Sequence, residues 1–133
     1  MKKILLAYDG GEPAKRALAT AIELTKALGA SLSVVSVVPT RPGRAPMDPW
    51  DDPDTHAKEL LEARDTLTAS GIEATLLEPA GDPAKTIEET VVRGGFDMVV
   101  VGSRHLNVLE RALQGSVSEH VATHADATVV IAR

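Results

Sequence analysis

Short apolar runs alternate along the chain with longer segments in which apolar residues recur every three or four positions. The recurring spacing predicts helices with one buried face, and the short runs predict strands. Pro13 suits the first turn of a helix, Gly29 suits the end of one, and Pro83 suits the start of another. The predicted strands are residues 4–8, 32–38, 72–78, 98–101 and 128–132, and the predicted helices are about 13–28, 54–70, 83–93 and 115–124.

This alternation of strands and helices predicts an α/β fold with a five-stranded, mostly parallel sheet and helices on both faces. The third strand, residues 72–78, is the most polar of the five. Central strands of a parallel sheet are buried on both faces, so a polar strand belongs at an edge. The strand order 3-2-1-4-5 is therefore favoured over 2-1-3-4-5, in which the third strand is central.

In the order 3-2-1-4-5 the winding of the chain reverses between the first and fourth strands. Ligands of open α/β sheets bind at such a reversal, outside the carboxyl ends of the strands. Those ends are Asp9-Gly10-Gly11 and Gly102-Ser103. The sequence therefore predicts a ligand site between them.

The chain is predicted to form a single domain, residues 1–133, with one long surface loop. That loop, residues 39–53, contains five prolines and the only tryptophan, Trp50. The last strand, residues 128–132, is strongly apolar and has no later strand to pair with. Pairing with the same strand of a second copy would protect this edge in a homodimer, whereas in a monomer neighbouring helices would have to shield it.

Composition and charge remove several classes of partner. The net charge is −5 and only 2% of the residues are aromatic, so neither a nucleic acid nor a membrane surface is an expected partner. The absence of cysteine excludes disulfides and thiolate chemistry and suits a cytoplasmic protein. His120 and His124 lie four residues apart without the glutamate of a zinc-protease motif, so no metal site is predicted on the protein itself.

A second glycine-serine pair begins the last predicted helix. Backbone N–H groups at a helix start attract anions, and the segment Gly115-Ser116-Val117-Ser118 adds two hydroxyls. A capping box formed by Ser116 and Glu119 explains the same pattern without a ligand. Gly102 would let a ligand approach the backbone closely. Asp9 would accept a hydrogen bond from an adenine amino group or a ribose hydroxyl, or else would cap the turn.

These residues resemble the nucleotide-binding signature of the universal stress protein family, which is glycine, two residues, glycine, nine residues, and glycine followed by serine or threonine. Here Gly102 begins the pattern, His105 stands where the second glycine is expected, and Gly115-Ser116 ends it. The similarity to a single-domain member extends over essentially the whole chain. It implies a Rossmann-like fold of the adenine nucleotide alpha hydrolase type and a homodimer through the last strand.

The resemblance also implies a ligand, which is ATP or a related nucleotide such as AMP or ADP, with Mg²⁺ bound to its phosphates. By position, Asp9 and Val37 would contact the adenosine and Gly102 the junction of sugar and phosphate. The phosphate-binding segment would comprise Gly115, Ser116, Val117 and Ser118, and the intervening loop would contribute Ser103, Arg104 and His105.

Three functions remain open from the sequence. The first is a dimeric, cytoplasmic stress-response protein that acts through occupancy by a nucleotide, with hydrolysis slow or absent. The second is a weak ATPase in which Mg²⁺ is held by the phosphates and by Ser116 or Asp9. The third is a nucleotide-free, chaperone-like protein that engages a partner through its apolar edge and the loop 39–53.

Overall fold

A computed structural model describes residues 2–8, 10–39, 53–102 and 127–132. The predicted helix at 115–124 lies outside these ranges. The elements in chain order are β1 Lys3–Ala7, α1 Glu12–Leu28, β2 Ser31–Val35, β3 Val38–Pro39, α2 Pro53–Ala69, β4 Ala74–Leu77, β5 Ala80–Gly81, α3 Pro83–Gly94, β6 Met98–Gly102 and β7 Thr128–Ala132.

The main sheet has five strands in the order β4-β2-β1-β6-β7, and every pair of neighbours is parallel. This is the predicted order 3-2-1-4-5, with the polar third strand, β4, at one edge. Leu6 in the central strand pairs with Val34 on one side and with Val100 on the other. The α/β fold and its strand order are thus confirmed.

The core has two layers, one on each face of the sheet. Alternate residues of β1 point to opposite faces, and both sets are buried because helices cover both faces. Ile4 and Leu6 pack with α1 and α2, whereas Leu5 and Ala7 pack with Ile87 of α3 and its neighbours. The continuous apolar run in β1 follows from this double burial.

The predicted second strand divides into two. β2 ends at Val35, and β3 pairs with β5 in a separate two-stranded sheet. The backbone N–H of Ser36 donates to the carbonyl of Leu77 at 2.9 Å, and that of Val38 donates to the carbonyl of Pro79 at 2.8 Å. Hydropathy did not reveal the division because apolar residues continue through the bend.

Two predicted boundaries were wrong in detail, and one position that fits the apolar spacing of a helix is exposed. Pro39 belongs to β3 and Pro53 is the first residue of α2, so both ends of the predicted loop lie in regular elements. The rest of that loop, residues 40–52, lies outside the described residues. Leu28, which continues the apolar spacing of α1, is 42% exposed because it occupies the last turn of the helix, at its outer end.

The two ends of α3 show how local sequence limits a helix. Asp82 is the N-cap, and its side chain accepts a hydrogen bond from the backbone N–H of Lys85 at 3.0 Å. At the other end Gly95 adopts a left-handed conformation with φ of 63°. Both signals are visible in the sequence, and they define the limits of a helix that crosses the sheet from β5 to β6.

We expect Asp82→Ala to lower the free energy of unfolding by about 1 kcal/mol, because an N–H group in the first turn of α3 loses its acceptor. Urea denaturation followed by circular dichroism measures this change. Asp82→Asn is the matched control, since its amide oxygen still accepts the hydrogen bond and stability should change by less than about half as much. Equal losses in the two variants would contradict a capping role.

Candidate functional site

The carboxyl ends of β1 and β6 lie side by side in the sheet. Register pairs Leu6 with Val100, and each strand continues toward the same edge, where β1 is followed by Tyr8 and β6 ends at Gly102. From β1 the chain turns through Gly10 and Gly11 into α1. The neighbouring chain ends at which the sequence predicts a ligand therefore exist in the structure. These chain ends form the mouth of the sheet, which comprises Tyr8, Gly10, Gly11 and Gly102.

Gly102 packs directly against the first turn of α1. A Cβ atom added at this position would lie 2.6 Å from both the carbonyl carbon and the carbonyl oxygen of Pro13. The φ of Gly102 is not positive, so the requirement for glycine is steric rather than conformational. The sequence explained this glycine only by close approach of a ligand, and the structure shows a contact with Pro13 that is sufficient by itself.

Gly10 is constrained in two ways. Its φ is +79°, a conformation that residues with a side chain rarely adopt. In addition, a Cβ atom at this position would lie 2.7 Å from the carboxyl carbon of Glu59, a half-buried residue of α2. Gly10 therefore lies against a side chain of α2 just before α1 begins.

Val37 lies between β2 and β3, at the carboxyl end of β2. It is partly buried and packs against the core on the α3 face, together with residues such as Val101. Its half-exposed apolar side chain offers a surface of the kind that an adenine ring contacts. Val37 follows the end of β2 by two residues and Gly102 is the last residue of β6, and these two strands flank β1.

The other predicted site residues lie outside the described ranges and remain predictions. They are Asp9, Ser103, Arg104, His105, Gly115, Ser116, Val117 and Ser118. Sequence reasoning missed Pro13 and Glu59 at the mouth. The Gly10-Gly11 pair signalled a close approach of some neighbour, but the neighbour itself is a tertiary contact that no local pattern specifies.

Cavities lined by described residues include two that do not have Gly102 in their lining. One, of about 860 Å³, runs along β4 on the α3 face, where Ser33, Thr75 and Arg93 are among its lining residues. The other, of about 340 Å³, lies between α1 and α2 and is lined by Tyr8, Lys15 and Glu62 among others. Neither has Val37 or Gly102 among its lining residues.

Two further features bear on function. Within residues 2–8, 10–39, 53–102 and 127–132, no group of three or more His, Cys, Asp or Glu side chains is arranged to hold a metal ion. In the same ranges, no helix has both the length and the apolar character needed to cross a membrane.

The whole chain, residues 1–133, matches the model of the family described as the universal stress protein family. The chain belongs to this family. A putative universal stress protein of Staphylococcus epidermidis is 32% identical over 141 residues, an alignment that covers 99% of this chain and 84% of the relative. The resemblance noted in the sequence is therefore confirmed.

Solved structures of universal stress proteins have the same fold. One, in complex with cAMP, has a TM-score of 0.68 and 22% identity, and the match covers 99% of this chain and 97% of the other. Another, from Archaeoglobus fulgidus in complex with dAMP, has a TM-score of 0.67 and 23% identity, and the match covers 100% and 98% of the two chains. The Rossmann-like architecture of this universal stress protein is thus shared along its full length.

Proposed function

We propose that this universal stress protein binds ATP or a related adenine nucleotide at the mouth between β1 and β6. The observation that carries the proposal is the pairing of β1 with β6 at the reversal of strand order, with glycine at both chain ends. The complexes of similar proteins with cAMP and dAMP support it. In this role the protein acts in the cytoplasm, and its response depends on whether the nucleotide is bound.

The proposed contacts divide the ligand into three parts. Asp9 and Val37 contact the adenosine, and Gly102 lies at the junction of sugar and phosphate. The phosphates meet the helix start formed by Gly115, Ser116, Val117 and Ser118, whose amides and hydroxyls are anion donors. The connecting residues Ser103, Arg104 and His105 border the same site, and Mg²⁺ accompanies the phosphates.

We also propose a homodimer through β7. Among the described strands β7 pairs only with β6, and Val129, Val130 and Ile131 are partly exposed. The opposite edge, β4, is short and flanked by Glu73 and Glu78, charges that discourage pairing with another strand. The apolar edge is the one suited to a second copy. Its exposure also favours a second candidate function, a nucleotide-free protein that engages a different partner there.

Calorimetric titration with ATP and AMP tests nucleotide binding. We expect saturable binding in the micromolar range, and Ser116→Ala should weaken ATP about tenfold because a hydrogen bond to a charged phosphate is lost. Ser70→Ala is the matched control and should leave affinity unchanged, because Ser70 lies before the amino end of β4, whereas the mouth lies at the carboxyl ends of the parallel strands.

His105→Gly completes the test because it restores the family's second glycine. Binding by both the wild type and this variant supports the proposal for the natural chain. Binding by the variant alone means that histidine blocks the site. Absence of binding in both proteins would refute nucleotide binding and leave the interaction protein as the function.

A further inference from the structure

The N-cap residue of α1 has no side chain with which to cap its own helix. It is Gly11, with φ of −75° and ψ of 170°. In α3 the equivalent position is Asp82, whose carboxylate bonds to the N–H of Lys85. Both helices have proline in their first turn, and α1 also has the acidic residue Glu12 there, whereas α3 has none. An acceptor for α1 must come from elsewhere in the fold.

A carboxylate from another helix lies at that point. Glu59 of α2 packs onto Gly10, the residue before the N-cap, so closely that its Oε1 is 2.9 Å from the position a Gly10 Cβ atom would occupy. Oε2 of the same carboxylate is shielded from solvent. In contrast, Glu62, one turn further along α2, is exposed. The Glu59 carboxylate thus lies next to Gly10, with one oxygen shielded from solvent.

Position and charge together suggest what Glu59 does. The first turn of a helix carries unsatisfied N–H groups and about half a positive charge, so a half-buried carboxylate there is stabilised. The same carboxylate repels other anions from that end. A phosphate group that approached the N-terminus of α1 would meet the charge of Glu59 in addition to that of Glu12, which is exposed and forms an ion pair with Lys15.

We propose that Glu59 is a positioning residue that caps α1 from α2 and keeps phosphate away from the β1 side of the mouth. This rests on the proposed nucleotide binding and deepens it. With a carboxylate at the start of α1, the anionic end of the nucleotide is directed toward the β6 side of the mouth, and the uncharged adenosine lies on the β1 side. Glu59 thereby favours one orientation of the ligand.

The charge effect is tested with Glu59→Gln, which keeps the shape of the side chain and removes its charge. We expect the ratio of ATP affinity to adenosine affinity to rise about threefold at low salt, and this gain should vanish at high salt because screening weakens repulsion. Glu62→Gln is the matched control and should leave the ratio unchanged. An unchanged ratio in Glu59→Gln at low salt would overturn the repulsive role.

The capping effect is tested separately, without any nucleotide. Glu59→Ala should lower Tm by about 4 °C, the shift expected for a lost cap in a domain of this size. Gly11→Ser supplies a local cap at a backbone conformation that suits it. It should raise Tm by about 4 °C more in the Glu59→Ala background than in the wild type, and any strain from the serine cancels in this comparison.

If Gly11→Ser changed Tm equally in the wild-type and Glu59→Ala backgrounds, Glu59 would not be a cap of α1. The two failures are distinguishable. If neither the wild type nor Glu59→Gln binds any adenine compound, the proposed function and the orienting role fail together, while the Tm comparison still decides whether Glu59 caps α1.

Discussion

Gly102→Val should lower the free energy of unfolding by about 3 kcal/mol or more, because its side chain would occupy the space of Pro13 backbone atoms. The colliding atoms are a carbonyl carbon and its oxygen, each 2.6 Å from the added Cβ, so no change of rotamer relieves the contact. Either β6 or the first turn of α1 must move. Chemical denaturation monitored by circular dichroism measures the loss.

Gly71→Ala is the control for the cost of placing a side chain at a positive φ without any steric collision. Gly71 has φ of +79°, but a Cβ atom there meets nothing within 4 Å. Its loss should be about 1 kcal/mol, the usual range for strain without collision. If Gly102→Val proved no more destabilising than Gly71→Ala, the contact with Pro13 would not be the reason for glycine at position 102.

The same variant bears on ligand binding. In a Gly102→Val protein that still folds at low temperature, displacement of α1 would disturb the turn that carries Gly10 and Gly11. We therefore expect nucleotide affinity to fall even when the proposed phosphate-binding residues are unchanged. Gly102 acts first through the packing of the mouth, and any direct contact with the sugar adds to that effect.

Leu6→Ala should lower the free energy of unfolding by about 3 to 4 kcal/mol, because it leaves a cavity at the centre of the sheet. Leu6 is fully buried, pairs with β2 and β6, and packs on the face covered by α1 and α2. Urea denaturation measures the change. The nucleotide affinity of the folded fraction of the variant should be little altered.

Leu28→Ala is the matched control, since it removes the same atoms from a side chain that is 42% exposed. Its cost should stay below about 1 kcal/mol, because little apolar area returns to water and alanine suits a helix. Similar losses of unfolding free energy in the two variants would contradict the burial of Leu6 at the centre of the sheet.

The edges of the sheet show why strand order was predictable. Residues 98–101 and 4–7 read as unbroken apolar runs because helices bury both of their faces, and they occupy the interior positions β6 and β1. Glu73 and Glu78 border the strand that became β4, and charge at a buried central strand would be costly. Hydropathy and charge therefore carry information about position in the sheet.

The boundary errors have a different origin. Hydropathy is the same on both sides of Ser36-Val37, yet the hydrogen-bond partner changes there from β4 to the chain around β5. A local pattern records whether a residue is buried, not which strand accepts its hydrogen bond. The division of one predicted strand into β2 and β3 therefore depended on residues about forty positions away.

By itself the sequence determined the α/β class, the order of the five strands and the place of the mouth, because burial on one or two faces leaves a periodic record in residue type. It also marked Gly102 as a position where a close approach needs glycine, but not that Pro13 is the neighbour. Only the tertiary structure shows that Pro13 lies close against Gly102 and that Glu59 lies close against Gly10. Such contacts join segments far apart in the chain, and their geometry depends on how helices pack rather than on any local spacing.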